Sequence, residues 1–272
     1  MNWFRWIRCR LTEGGGCGVY ELELRPSYWA SVSGGKDSLF MLKLITENLD
    51  RYPLDGVVHF ELEIDYPFIK DVVNLMEREC MKHGIRFVRI KPRESWYDLY
   101  KKWGMPNRVK RWCNSHYKLD AARQLDEFMA AQGYYVVSYI GYCADEVKRY
   151  KKRQKQNIKE IYPLVEFGVN EDIIWEWAKK QPVFNNYYKV NRRCGCMFCP
   201  MADRLNLTYL LTYYPDKYAE FIQMCKDTEI MVEQKTGKKH SIFQGNPKYN
   251  TEYVDNNVRT KWLPIFKERE SR

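Results

Sequence analysis

Ser33-Gly34-Gly35-Lys36-Asp37-Ser38 separates two apolar runs of different character. Before it, Tyr28-Trp29-Ala30-Ser31-Val32 is aromatic and β-branched and reads as a buried strand. After it, Leu39-Phe40-Met41-Leu42-Lys43-Leu44-Ile45 reads as a largely buried helix. A strand that turns through two glycines into a helix start makes an anion site. The backbone can approach closely there, and the first-turn N–H groups and helix dipole face the bound charge. Ser33 and Ser38 add hydroxyl donors and Lys36 adds a cation. Asp37 would repel a bare phosphate, so its place there implies Mg²⁺ between carboxylate and phosphate. A tight turn capped by Ser33 or Ser38 would account for a lone Gly-Gly. The whole hexapeptide is more specific and reads as a nucleotide phosphate site. It is not a Walker A loop, whose G-x4-G-K-[ST] spacing is missing.

The hexapeptide resembles the SGGxDS loop of the PP-loop ATP pyrophosphatases and of their relatives, the phosphoadenosine phosphosulfate (PAPS) reductase family. That resemblance implies bound ATP, or a related adenine nucleotide, with Mg²⁺. The nucleotide would be held by Ser33, Gly34, Gly35, Lys36, Asp37 and Ser38, and Lys36 and Asp37 would take part in the chemistry.

The rest of the chain supplies the frame for such a site. Strands are expected at Gly56 to Phe60, Ile85 to Ile90, Tyr134 to Ile140 and Ile158 to Leu164, and helices at Pro67 to His83, Ser115 to Gln132 and Glu171 to Lys180. This alternation predicts an α/β fold, a Rossmann-like parallel sheet with helices on both faces, of the adenine nucleotide alpha hydrolase-like type the resemblance implies. Ligands of such sheets bind beyond the carboxyl ends of the strands, so the loops after Val32, Phe60 and Ile140 should face one crevice. Residues 28–188 are expected to form the nucleotide-binding domain and residues 189–272 a cysteine-motif loop with a helical C-terminal region. Residues 1–27 form an N-terminal extension with a Gly14-Gly15-Gly16 joint, an edge-like alternation from Val19 to Leu24, and two plain thiols, Cys9 and Cys17.

At 272 residues and 45% hydrophobic content the chain can bury one large core, and its formal charge of +10 favours a polyanionic partner. The strongest basic run is Lys148-Arg149-Tyr150-Lys151-Lys152-Arg153-Gln154-Lys155, which reads equally as a solvated helix face or a polyanion contact. Aromatic residues make up 15%, enough for core and for stacking on bases. No apolar run is long enough to span a membrane, and no apolar leader opens the sequence. The expectation is a cytoplasmic protein whose nine cysteines are reduced, where clustered thiols bind metal or do chemistry.

Three further stretches carry chemistry. Glu61-Leu62-Glu63-Ile64-Asp65-Tyr66-Pro67 follows the second strand, and alternation places Glu61, Glu63 and Asp65 on one side if that strand runs on. The stretch is similar to the family's D-[ST]-x-x-E-x-P element near the nucleotide, with Glu61 at the Asp position and Asp65 at the Glu position. Gly141-Tyr142-Cys143-Ala144-Asp145-Glu146-Val147-Lys148-Arg149 resembles the family's G-x-R-x-x-E-x-x-R stretch. Gly141, Glu146 and Arg149 match, Cys143 replaces an Arg, and Arg149 could grip a phosphate or sulfate through its planar fork. Arg111-Trp112-Cys113 through Lys118 is similar to the R-x-C-x4-K element, which starts a helix and would activate the Cys113 thiol.

Cys194-Gly195-Cys196-Met197-Phe198-Cys199 is the strongest metal signal in the chain, because C-x-C-x2-C spacing turns three thiols to one point. Cys113 is the candidate fourth ligand from across the fold. Four thiolates suit zinc or a [4Fe–4S] cluster. The likeness of Gly195-Cys196-x-x-Cys199 to the G-C-x-x-C of iron–sulfur members of the family implies the cluster. Ile161-Tyr162-Pro163-Leu164, Ile173 to Trp177 and Asn185 to Tyr188 extend the likeness as packing features.

Two reactions follow from this resemblance. In the first, ATP is cleaved to pyrophosphate and a sulfur species replaces oxygen on a nucleic acid, tRNA or DNA, with a sulfur donor or redox protein as partner. In the second, a cysteine reduces PAPS or adenosine phosphosulfate. The second is disfavoured because no E-C-G-x-H nucleophile follows Cys225. A non-enzymatic reading, a cluster-bearing nucleic-acid-binding module regulated by nucleotide, stands beside them.

Overall fold

The computed structural model describes residues 24–154, 159–243 and 247–271. The glycine joint, the edge-like alternation through Glu23, Cys9, Cys17 and Lys155 lie outside these residues. The chain alternates strand and helix as the sequence pattern requires: β1 (Arg25–Val32), α1 (Lys36–Thr46), β2 (Gly56–Phe60), α2 (Pro67–Lys82), β3 (Phe87–Ile90), α3 (Trp96–Trp103), α4 (Leu119–Ala131) and β4 (Tyr134–Tyr139). After it come α5 (Val147–Gln154), β5 (Glu160–Ile161), α6 (Pro163–Glu166), α7 (Glu171–Lys179) and α8 (Tyr187–Val190). A helical C-terminal region follows, α9 (Arg204–Tyr213), α10 (Pro215–Thr236), α11 (Thr251–Asn257) and α12 (Leu263–Glu270).

All five strands pair in parallel, in the order β3-β2-β1-β4-β5. Burial on both faces follows from this. Ala30, Val32 and Val57 join the large core with α1 and α2, whereas Trp29 and Val58, one residue out of step, pack on Leu125 and Met129 of α4. The chain winds outward from β1 to β3 and then returns to β4 beside β1. The order therefore reverses between β1 and β4, the place where open parallel sheets leave a crevice for ligands. The Nδ1 of His59 on β2 lies 3.0 Å from the Val32 carbonyl, which can only accept, and so pins the end of β1 where the hexapeptide begins.

Several local expectations change for physical reasons. The second strand stops at Phe60: the Asp65 N–H turns back to the Leu62 carbonyl, and Pro67 starts α2. The three acids therefore do not share a face. The fifth strand is only Glu160–Ile161, because Pro163 cannot donate to a ladder and opens α6 instead. The helix expected from Ser115 begins two residues earlier as a π-type turn, Cys113–Lys118, a geometry found often at functional sites. Helix α3, capped by Ser95 Oγ on the Tyr97 and Asp98 N–H groups, lies within a stretch with no expected element.

The C-terminal helices share the large core with the sheet domain. Tyr209 of α9 contacts Tyr66 and Tyr187 edge-on, Phe266 of α12 reaches Tyr209, and Phe198 stacks on Phe221 of α10. Asn185 and Asn186 before α8 take left-handed backbone, with φ of 45° and 59°, which asparagine tolerates better than most residues. Among the described residues no helix is long and apolar enough to cross a membrane.

Candidate functional site

At the β1/β4 reversal lies a cavity of about 410 Å³, a size usual for small-molecule sites. Its walls come from two sources. Ser33, Gly35, Asp37 and Ser38 line it together with Gly141, Cys143 and Glu146 from the loop after β4 and Arg149 from α5, and so do Asp65, Lys118, Cys194 and Cys196. The structure thus joins the nucleotide loop and the thiol motif in one space, although they lie far apart in sequence.

The hexapeptide is built as a cradle. Gly34 takes φ +75°, and a Cβ there would sit 2.7 Å from Ile69, so only glycine fits. Ser38 Oγ donates to the Gly35 carbonyl at 3.0 Å and accepts from the Ser33 N–H at 3.2 Å, closing the loop on itself. Among the described residues no N-cap side chain closes α1, although Tyr188 Oη takes the Lys36 N–H at 3.0 Å. Opposite, a Cβ on Gly141 would come within 3.1 Å of the Asp37 carbonyl oxygen, so the loop after β4 depends on glycine to press against α1.

Lys36 is turned away from the cavity. Its side chain is 1% exposed and does not line the cavity; its Nζ lies 2.6 Å from Asp37 Oδ1 and 3.5 Å from Glu171 Oε1. It is a buried counter-ion that holds Asp37 in place. Burial raises the Asp37 carboxyl above its ordinary range, Lys36 opposes that, and Glu171 and Glu146 add to it. Cys143, where the family has an arginine, points its thiol at Asp37 Oδ1 from 3.6 Å, and burial followed by Asp37 pushes that thiol far up. Its N–H donates to Glu146 at 3.3 Å.

Of the three acids after β2, only Asp65 reaches the cavity. Glu61 turns to Lys91, 3.9 Å away, and does not line the cavity, while Glu63 accepts from the Trp96 N–H at 2.7 Å. The strand ends before the alternation can carry them inward. Burial, followed by the neighbouring Cys196, pushes Asp65 up to about 7.

The thiols gather around Lys118. Cys196 is held well below the ordinary thiol range by a hydrogen bond with Cys199 and by the Lys118 ammonium. Lys118 in turn is raised, above all by Cys196. Burial and the charge of Cys196 raise Cys113, and burial with Asp65 raises Cys194. Met197 N–H donates to the Ile64 carbonyl at 2.8 Å, tying this loop to the segment after β2. Among the described residues no three Cys, His, Asp or Glu side chains close into a ready-made metal cage. The donor chemistry, soft thiols beside one ammonium, still fits a thiolate-bound centre. Cys225 and Cys80 are fully buried inside helices α10 and α2. His116 packs on the Trp103 ring at 4.9 Å.

Three residues that sequence reasoning does not single out belong to this site. Glu171 at the start of α7, Arg193 just before Cys194, and Tyr188 all line the cavity. An arginine next to a cysteine motif and an acid in a helix's first turn are common on solvated surfaces, so only the fold distinguishes them. Arg193 grips Glu171 with both Nε (3.1 Å) and Nη2 (2.9 Å), and that pairing is the first cause of the lowered Glu171 carboxyl.

Two uncharacterized proteins of Methanocaldococcus jannaschii are similar. One is 25% identical over 211 residues, 72% of this chain and 47% of its own length. The other is 23% identical over 243 residues, 84% and 45% respectively. The chain thus spans about half the length of these relatives. The solved structure of the U34-tRNA thiolase NcsA from Methanococcus maripaludis with its [4Fe-4S] cluster aligns with 88% of this chain and 75% of its own. Its identity is 15% and its TM-score 0.40, too low to carry residues across. The model of the phosphoadenosine phosphosulfate reductase domain matches residues 27–202, well over half of the sequence, and the chain belongs to that family.

Proposed function

We propose that this protein is an ATP-dependent sulfur-transfer enzyme acting on a nucleic acid, tRNA or DNA. The observation that carries the reading is the single cavity lined both by the hexapeptide cradle and by Cys194 and Cys196. An α-phosphate held by Ser33, Gly35 and Ser38, with Mg²⁺ at Asp37, would lie beside a nucleophilic sulfur. A carbonyl oxygen of the acceptor attacks the α-phosphorus and pyrophosphate leaves. Hydrosulfide, brought by a donor, then attacks the activated carbon, and AMP departs with the original oxygen. Arg149, 4.5 Å over the Tyr142 ring, lines the cavity and would meet phosphate oxygens there.

Cys113, Cys194, Cys196 and Cys199 are the residues that would hold a [4Fe–4S] cluster or, with the same donors, zinc. Such a centre, when bound, supplies a site where sulfur can be held. Lys118 balances the thiolate charge and Asp65 orders the near wall. Residues 28–188 are read as the nucleotide-binding part and residues 189–272 as the thiol loop with its helical support.

A polyanionic acceptor has exposed cations on both flanks. Lys148, Lys151 and Lys152 project from α5, next to Arg149, and Arg108, Lys110 and Arg111 project from the loop leading to Cys113. Neutralising any one cation that meets a phosphate should lower the salt slope of binding by about 0.7 to 0.9. The test is pyrophosphate release from ATP with sulfide and a mixed tRNA or DNA pool, with mass spectrometry of the nucleosides. A thionucleoside formed with stoichiometric pyrophosphate supports the reading. Sulfite release from PAPS without pyrophosphate from ATP overturns it in favour of a reductase.

A further inference from the structure

Arg193 stands at the junction of the two halves of the cavity. Its guanidinium is bidentate on Glu171, with Nη2 at 2.9 Å from Oε2, and Nη2 also lies 3.5 Å from Glu146 Oε1. Its backbone carbonyl accepts from Tyr187 Oη at 3.1 Å, and the next residue is Cys194. The same arginine therefore touches the acids behind the nucleotide cradle with its side chain and starts the thiol loop with its backbone.

The charge arrangement lets Arg193 move. Glu171, 12% exposed, is also paired with the buried Lys36 at 3.5 Å. Glu146, 10% exposed, is also paired with Arg149 at 2.5 Å. If Arg193 leaves, Glu171 keeps Lys36 as its cation, so the usual penalty for breaking a buried pair is reduced. Arg193 itself is 61% exposed, and a pair with so open a partner is held weakly. A polyphosphate entering beside Ser33–Ser38 meets three acids, Asp37, Glu146 and Glu171, already balanced by Lys36, Arg149 and Arg193. Lys36 is enclosed, whereas the Arg193 fork is free to turn and matches phosphate oxygens as well as it matches a carboxylate.

We propose that Arg193 is a latch: a nucleotide polyphosphate draws its guanidinium from Glu171, and this loosens residues 192–196 at the start of the thiol loop, while Met197 and Phe198 stay packed in the core. Nucleotide occupancy in one half of the cavity thereby sets the exposure of the thiols in the other. The inference rests on the reading that the cavity takes a nucleotide. It adds the order of events, in which the thiol loop opens only after the nucleotide has arrived. Arg193 acts here as a positioning residue.

Backbone hydrogen exchange on the full chain, with and without ATP and Mg²⁺, tests both levels separately. Slowed exchange in residues 33–38 reports nucleotide binding, and exchange in residues 192–196 reports the latch. Wild-type protein should show ATP-slowed exchange in the cradle and exchange faster by roughly fivefold or more in the thiol loop. Arg193→Ala should exchange fast in the loop without ATP and gain nothing from it, while Arg193→Lys, which keeps the charge but loses the fork, should fall between. Glu171→Gln should loosen the loop as Arg193→Ala does, with the melting temperature checking that each variant is folded. Cradle protection without any change in the wild-type loop overturns the latch and leaves the nucleotide site standing. A loop in Arg193→Ala that still responds to ATP like the wild type also overturns it. No protection of the cradle overturns the nucleotide reading, and the latch with it.

Discussion

The thiol of Cys143 donates to Oδ1 of Asp37 across 3.6 Å, and the same oxygen accepts from Lys36 Nζ at 2.6 Å. Asp37 is thus gripped by a neutral thiol from the loop after β4 and by a cation from its own helix. Both grips fall on one oxygen of a carboxylate that lines the cavity. On the proposed function, this arrangement would present a carboxylate to a metal-bound phosphate.

Asp37→Asn keeps the shape and removes the charge. Pyrophosphate release from ATP should fall by about 100-fold or more, the scale of losing a preorganised electrostatic group. Varying Mg²⁺ at fixed ATP should show that the loss includes the metal dependence. Unchanged turnover would remove Asp37 from the reaction.

Lys36→Met tests stability rather than phosphate contact. The substitution keeps the length of the side chain but leaves Asp37 and Glu171 facing each other across the buried space that Lys36 now fills. Removing one member of a buried charged set costs about 3 kcal/mol, so the urea midpoint should drop with little change in slope. Retained stability together with lost nucleotide affinity would instead make Lys36 a direct phosphate ligand.

Metal content separates the thiols. Iron and acid-labile sulfide per chain, measured after anaerobic purification, should fall sharply in Cys196→Ser, Cys194→Ala and Cys113→Ala. They should hold in Cys80→Ala and Cys225→Ser, whose thiols are enclosed in helices α2 and α10. Zinc without sulfide in the wild type would replace the cluster by a zinc site with the same donors.

Asp65 gives the metal-free chain a pH signature. Its carboxyl is pushed by burial from 3.8 up to about 7 in the folded state. Between those values the folded protein holds a proton that the unfolded chain has released, so stability falls as pH rises across this window. The slope for one proton is at most about 1.4 kcal/mol per pH unit. Asp65→Asn should flatten the fall in denaturation free energy between about pH 4 and 7 and should be the more stable form at about pH 8.

Much of the fold is legible from residue patterns because its signals are local. Strand β2 falls where its β-branched run lies, and α2 begins at the proline that ends the acidic stretch. The departures also have local causes. Strand alternation would set Glu61, Glu63 and Asp65 on one side, but Pro67 requires the chain to turn, which leaves Glu61 outside the cavity. Helix α3 gives no clear signal because its eight residues are mostly aromatic and basic and owe their place to packing, with Trp96 against Trp112 and Tyr117.

What the sequence alone determined were the two short-range devices, the Ser33–Ser38 cradle and the Cys194–Cys199 thiol spacing. Each depends on backbone turns within a few residues, and spacing encodes those turns. Tertiary structure decided how they work together. The reversal of strand order between β1 and β4 brings the cradle, Glu146 and Arg149 to one crevice, and the packing of α8 brings Tyr188 and the thiol loop against it. It also turned Lys36 inward and set Arg193 between two acids, because the direction of a long charged side chain follows from neighbours distant in sequence and not from its own motif.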